Sequence, residues 1–267
     1  MKKIIYGLAL CTVLIVAAPA AAQILIEEGK ISLPAKPGET IMNSFFVHNT
    51  SEQKITVKSY WEDFVYVPPF DGQKKFFPPG STDRSLSKWA NFTPQEFILP
   101  PFGKKKIMYS IKVPLAAKGG YYSVLFFEKG EAVLQDKTGV RVVTRVGCLF
   151  FLETDDKNKN VRMEQATVDG RILKADFVNS GDVIMIPQGT FDVLGADGLV
   201  ADRGELTKFF LPPGERTKFD VGLSSALPAG KYTLVVTFDL GEGDTLVKEI
   251  DFTKDADASL KLLQVRD

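Results

Sequence analysis

A chain of 267 residues with 33 basic and 33 acidic side chains, one histidine and two cysteines lacks the basic excess of a nucleic-acid binder. It also lacks the cysteine density of a disulfide-built scaffold. Its 45% hydrophobic content is ample for cores that hold without cross-links.

Residues 1–22 read as a cleaved signal peptide: Lys2 and Lys3, the apolar run Ile4–Val16, then the small residues Pro19-Ala20-Ala21-Ala22. The apolar stretch is short of the roughly 20 residues that span a bilayer, and Leu10 before Cys11 is too bulky for a lipid-attachment site. Without the leader, 31 basic and 33 acidic side chains remain, a net charge of −2, and Cys148 is the single thiol. The mature chain is expected to have no transmembrane segment and to be exported, to a bacterial periplasm or beyond.

Strand patterns follow in order. Ile41–Val47 and Lys54–Trp61 are rich in β-branched and aromatic residues, and in the second Lys54, Thr56, Lys58 and Tyr60 alternate with Ile55, Val57, Ser59 and Trp61. Lys105–Val113, Tyr121–Glu128 and Val140–Glu153 come next. Val161–Val168, Ile172–Val178, Gly189–Leu194, Glu205–Phe210, Thr217–Leu223, Tyr232–Asp239 and Leu246–Phe252 complete the set. Turn pairs such as Pro37-Gly38, Asp71-Gly72, Asp169-Gly170 and Pro213-Gly214 separate them. Many short strands with frequent turns predict β-sandwiches. Residues beyond Phe252 fit a short helix, an extra strand or a loose end.

The pattern occurs twice. Phe46-Val47-His48-Asn49-Thr50-Ser51 is echoed by Phe177-Val178-Asn179-Ser180-Gly181, and Leu99-Pro100-Pro101-Phe102-Gly103 by Leu211-Pro212-Pro213-Gly214. A proline, glycine, tyrosine step, Pro114 to Gly120-Tyr121, returns at Pro228 to Gly230 and Tyr232. From Leu99 to Tyr121 is 22 residues and from Leu211 to Tyr232 is 21. The predicted fold is therefore all-β, two immunoglobulin-like sandwiches in tandem after the leader. They occupy residues 23–153 and 161–253, with a charged, solvated linker at 154–160 and a C-terminal tail at 254–267. The first copy is longer: 50 residues separate Asn49 from Leu99, against 32 from Asn179 to Leu211. The excess holds Phe64-Val65-Tyr66-Val67-Pro68-Pro69-Phe70 and Phe76-Phe77-Pro78-Pro79, whose prolines assign it to an edge or loop. Exposed together, those aromatics would form a partner-binding patch; folded back over the first sandwich, they would favour a spacer role.

The first copy resembles the N-terminal domain of periplasmic pilus chaperones (PapD-like) and related bacterial two-domain proteins. The resemblance rests on Pro37-Gly38-Glu39 leading to Asn49-Thr50, on Trp89, Pro94, Phe97 and Leu99-Pro100-Pro101, and on Ile107–Val113, Tyr121-Tyr122 and Val140–Phe151. It covers Ile24–Leu152 and does not extend to the second copy. It implies a paired immunoglobulin-like module that lends an edge strand to an incomplete pilin subunit, while a basic pair in the inter-domain cleft holds the subunit's terminal carboxylate. The family's arginine on the first strand has no counterpart here; Lys30 is the only basic residue in Ile24–Pro34. Arg145 on the closing strand is the carried-over candidate.

Catalytic chemistry has little to build on. His48 is the only histidine, so no His-based triad or His-rich zinc site forms beyond it. Glu62-Asp63 point to opposite faces of a strand. Cys148, in an apolar strand, reads as a buried structural thiol before a nucleophile. The expected function is non-catalytic, with no cofactor or metal: an exported protein-binding module of pilus-chaperone type that binds envelope or pilin-like polypeptides by strand addition. The alternative is a structural spacer or adhesin component of the envelope. Partner-binding candidates are Lys30, Phe64, Tyr66, Phe70, Phe76, Arg141, Val142 and Arg145.

Overall fold

The computed structural model describes residues 23–129, 143–170 and 172–266; the leader, Arg141 and Val142 lie outside them. Among the described residues every regular element is a strand, and no helix is long and apolar enough to cross a membrane. The first ten strands are β1 (Ile24–Ile26), β2 (Lys30–Ala35), β3 (Thr40–Asn49), β4 (Ile55–Tyr66), β5 (Lys74–Phe77), β6 (Ala90–Thr93), β7 (Glu96–Leu99), β8 (Lys104–Lys112), β9 (Gly120–Lys129) and β10 (Arg145–Thr154). They form one sheet in the order β1-β3-β8-β6 and a facing sheet β2-β10-β9-β4-β5, with β7 also paired to β4. All pairs are antiparallel except β2 with β10, so the chain entering the domain joins one sheet as β1 and the other as β2. Between the sheets lie Phe45, Trp61, Ile107, Leu125, Phe127 and Phe150, with Cys148 buried among them.

The second half comprises β11 (Val161–Asp169), β12 (Ile172–Asn179), β13 (Gln188–Gly195), β14 (Val200–Glu205), β15 (Arg216–Val221), β16 (Gly230–Gly241), β17 (Asp244–Lys254) and β18 (Leu260–Arg266). Sheets β11-β12-β15 and β14-β13-β16-β17-β18 enclose Phe177, Phe219, Leu234, Phe238 and Phe252. The fold is thus two immunoglobulin-like sandwiches in tandem. Two local readings change. The strand expected at Glu205–Phe210 ends at Glu205, and the following residues form a loop that buries Leu206 and Phe209. The segment beyond Phe252 is ordered: it ends β17 and returns as edge strand β18.

The repeat has a physical cause. Asn49 is buried, and its Nδ2 donates to the carbonyls of Gln53 (2.7 Å) and Pro100 (2.9 Å) while its Oδ1 accepts from the Ser51 amide (3.0 Å). Asn179 does the same with Val183 (2.8 Å), Leu211 (3.0 Å) and the Gly181 amide (3.0 Å). In each domain one carboxamide stitches a strand end to the Leu-Pro-Pro turn, satisfying backbone groups that would otherwise be buried unpaired. The tyrosine echo shifts by one residue. A Cβ on Gly120 would meet the Tyr122 hydroxyl at 1.9 Å, and one on Gly230 would lie 3.3 Å from the Tyr232 ring. Tyr122, folded back over its glycine, is therefore the counterpart of Tyr232.

Candidate functional site

Strand alternation gives the β2-β10-β9-β4-β5 sheet an outer face on the side away from its own core. Tyr60, Glu62, Phe64 and Tyr66 of β4, Tyr122, Val124 and Phe126 of β9, and Leu149 and Phe151 of β10 point there. The second domain covers one end of it. Tyr66 stacks on Phe210 at 4.8 Å and 21°, the Phe210 amide donates to the Phe70 carbonyl (2.8 Å), and the Ile184 amide donates to the Tyr122 hydroxyl (2.7 Å). Burial pushes the Tyr66 hydroxyl up to about 12, and that of Tyr122 upward as well.

This corrects the reading of the aromatic insertion. Phe64, Tyr66 and Phe70 are at most 4% exposed, so they form no free patch: Tyr66 and Phe70 meet the second domain, and Phe64 packs on Tyr66, Tyr122 and Phe151. The prolines did mark an edge: Asp63–Tyr66 of β4 pair only with β5, and the chain leaves the sheet at Val67. Phe76, on β5, stays exposed while packing edge-on against Phe126 at 5.1 Å. The segment 154–160 keeps Asp155, Asp156, Asn158 and Asn160 exposed, and is also tied to the second domain. The Asn158 amide donates to Asp182 (2.7 Å), and Lys157 and Lys159 both reach Glu242 (2.6 and 2.8 Å).

The remaining candidates lie at the uncovered end and in the cleft. The Arg145 guanidinium sits over Phe126 (3.9 Å) and Phe76 (5.3 Å) and donates to Glu62 (2.8 Å), so its charge is already compensated. Lys30 lies over the Phe151 ring at 4.2 Å. Burial lowers the Lys30 ammonium from its ordinary value; Glu153 opposes that shift and Lys208 adds to it. Lys208 belongs to the second domain, where it lies over Phe210. The two lysines thus approach from opposite sides of the cleft. Sequence reasoning missed Lys208, whose one signal was its place just before the repeated Leu-Pro-Pro step.

Strand β10 has an open side. The Lys129 amide donates to the Thr144 carbonyl and the Thr154 amide to that of Gly119, so even-numbered residues bond β9. Odd-numbered residues face the other way, where pairing with β2 begins only at Leu149, whose amide donates to Gly29. The outward backbone groups of Arg145 and Gly147 therefore meet no strand among the described residues. That is the geometry into which another chain's strand fits.

Other polar groups serve structure. Asp63 is fully buried and accepts hydrogen bonds from the hydroxyls of Ser85 (2.8 Å), Ser87 (3.0 Å) and Ser123 (2.9 Å) and from the Thr82 amide (3.0 Å). Its neighbour Glu62 points to the opposite face, as alternation requires. His48 pairs with Glu27 at 2.9 Å, and burial pushes the Cys148 thiol up to about 12, away from thiolate chemistry.

No family model matches the chain, and no curated protein matches it. Solved structures do. The chain is similar to one from the chaperone–tip adhesin complex of CFA/I fimbriae biogenesis, at 13% identity and a TM-score of 0.53, covering 85% of this chain and 97% of that one. It is also similar to the class 5 fimbriae chaperone CfaA, at 13% identity and a TM-score of 0.52, covering 84% of this chain and 97% of that one. The fold is that of the PapD-like fimbrial chaperones. The likeness spans both sandwiches, where the sequence alone carried it only in the first.

Proposed function

We propose that this chain is a non-catalytic, periplasmic chaperone-like module that binds partner polypeptides by adding a strand to the open side of β10. The carrying observation is the outward backbone of Arg145 and Gly147, at the end of β10 that the second domain does not cover, which meets no strand among the described residues. A structure with the same fold comes from a chaperone–tip adhesin complex, which makes a pilin-like or adhesin-like polypeptide the partner class to test. Main-chain hydrogen bonds would supply affinity along the edge. Lys30 and Lys208 would hold a carboxylate of the bound chain, a charge-assisted contact strengthened by partial burial. Because Lys30 starts from a lowered value, that hold weakens with rising pH earlier than it would at a solvated lysine.

The deciding experiment separates backbone from side chain at position 145. Arg145→Pro removes an outward amide without touching the β9 ladder, whereas Arg145→Ala removes only the guanidinium. Capture of envelope polypeptides by the purified mature protein should be lost in the proline variant and kept in the alanine variant, with both folded by circular dichroism. Equal capture by both variants would remove the edge as the binding site. A structural spacer is the second reading, favoured by the aromatic insertion being spent on the domain contact; on that reading neither variant has a capture phenotype.

A further inference from the structure

We infer a second docking surface, on the outer face of the β1-β3-β8-β6 sheet, that takes an extended acidic peptide segment. This face belongs to the sheet that the second domain does not cover, and it is independent of the β10 edge. The outward positions of β8 are Lys104, Lys106, Met108, Ser110 and Lys112, and on β3 the neighbouring outward residue Met42 lies opposite Ser110. Three of those five β8 positions are lysine. The outward carboxylate nearby, Glu27, is hydrogen-bonded to His48 at 2.9 Å and offsets one of the three lysine charges. The face is therefore net positive.

Lysines alone have a simpler explanation, since the outer face of an antiparallel sheet is ordinarily solvated and polar. The methionines argue against that as the whole account. Met42 is 76% exposed and Met108 53% exposed, which places apolar thioethers among the lysines in open solvent. Between β3, β8 and β6 runs a shallow groove of about 510 Å³, walled on its far side by Asn91 and Thr93. Strand β6 pairs with β8 on one side and, among the described residues, with no strand on the other, so it ends the sheet at the far wall of the groove. Each part suits a polypeptide. Thioethers adapt to varied side chains, and the side-chain amides and hydroxyls of Asn91, Thr93, Ser44 and Ser110 can meet an extended backbone. The lysines select for acidic side chains and raise the rate of encounter.

The probe is a fluorescein-labelled peptide alternating glutamate with valine, and its lysine–valine counterpart is the charge control. The mature protein should bind the first and not the second, with amide shift changes in NMR spectra confined to β6, β8 and β3. The double substitution Lys104→Glu with Lys106→Glu should weaken binding about tenfold or more. The milder pair Lys104→Gln with Lys106→Gln should weaken it less, and Arg145→Pro should leave it unchanged. Equal affinity for both peptides, shift changes elsewhere, or no loss on charge reversal overturns the inference. So does binding that occurs only to vesicles of phosphatidylglycerol and phosphatidylethanolamine, which would make the face a lipid contact.

Discussion

Asn179 has no exposed surface, and its carboxamide holds two carbonyls and one amide that have no solvent to turn to. Replacing it with alanine strands those groups and should cost about 2 kcal/mol. Asn179→Asp should not rescue the loss, because a carboxylate cannot donate to the carbonyls of Val183 and Leu211. Urea unfolding monitored by fluorescence checks both; a change below about 0.5 kcal/mol in the alanine variant would sink the stitching role. The same reasoning applies to Asn49. These two residues were legible because the stitch repeats and carries its partners in a recurring motif. Asp63 was not, since its donors come from Thr82, Ser85, Ser87 and Ser123 and have no common spacing. A buried carboxylate satisfied only by hydroxyls and amides leaves no pattern along the chain.

At the scale of elements, β10 and the linker carry opposite lessons. The outward positions of β10 alternate Arg145, Gly147, Leu149 and Phe151, and only the glycine departs from bulk. A Cβ at Gly147 would lie 2.7 Å from Val124 and 2.8 Å from Phe126, so the missing side chain is what lets these two β9 side chains lie across the strand. Gly147→Val should destabilise the protein by about 1–3 kcal/mol through overpacking, read as a lower urea midpoint at unchanged slope. The linker's charged residues predict solvation, and its aspartates are exposed, while its lysines find a carboxylate far along the chain. Hydrogen bonds from Lys157 and Lys159 draw the Glu242 carboxyl from 4.5 down to about 2. A depressed folded value means the contact stabilises above the unfolded value and fades as pH falls from about 4.5 towards about 2. Glu242 is well exposed, so screening holds the gain to under about 1 kcal/mol. Unfolding midpoints measured from about pH 6 to pH 2 should converge for wild type and Glu242→Gln at the acid end. Parallel curves over that whole range would refute the clamp.

In the whole molecule, the second core runs without a break into the outer face of the first domain, through Phe210, Tyr66, Phe70 and Tyr122. Two sandwiches sharing apolar contacts should unfold together, so calorimetry is expected to give one transition. Tyr66→Ala combined with Phe210→Ala should split it into two, because the stack and its burial are lost while each sandwich keeps its own core. A single unchanged transition in the double variant would show that the domains are coupled elsewhere. The amino-acid order alone was enough for the all-β class, the tandem repeat and most strands, because alternation and turn residues act over a few positions. It was also enough to mark the first copy's insertion as exceptional. Where that insertion goes, which lysine lies near enough to influence Lys30, and which side of β10 stays open depended on the tertiary structure. Each is a relation between groups distant in the chain, settled by which apolar faces cover one another once both sandwiches have formed.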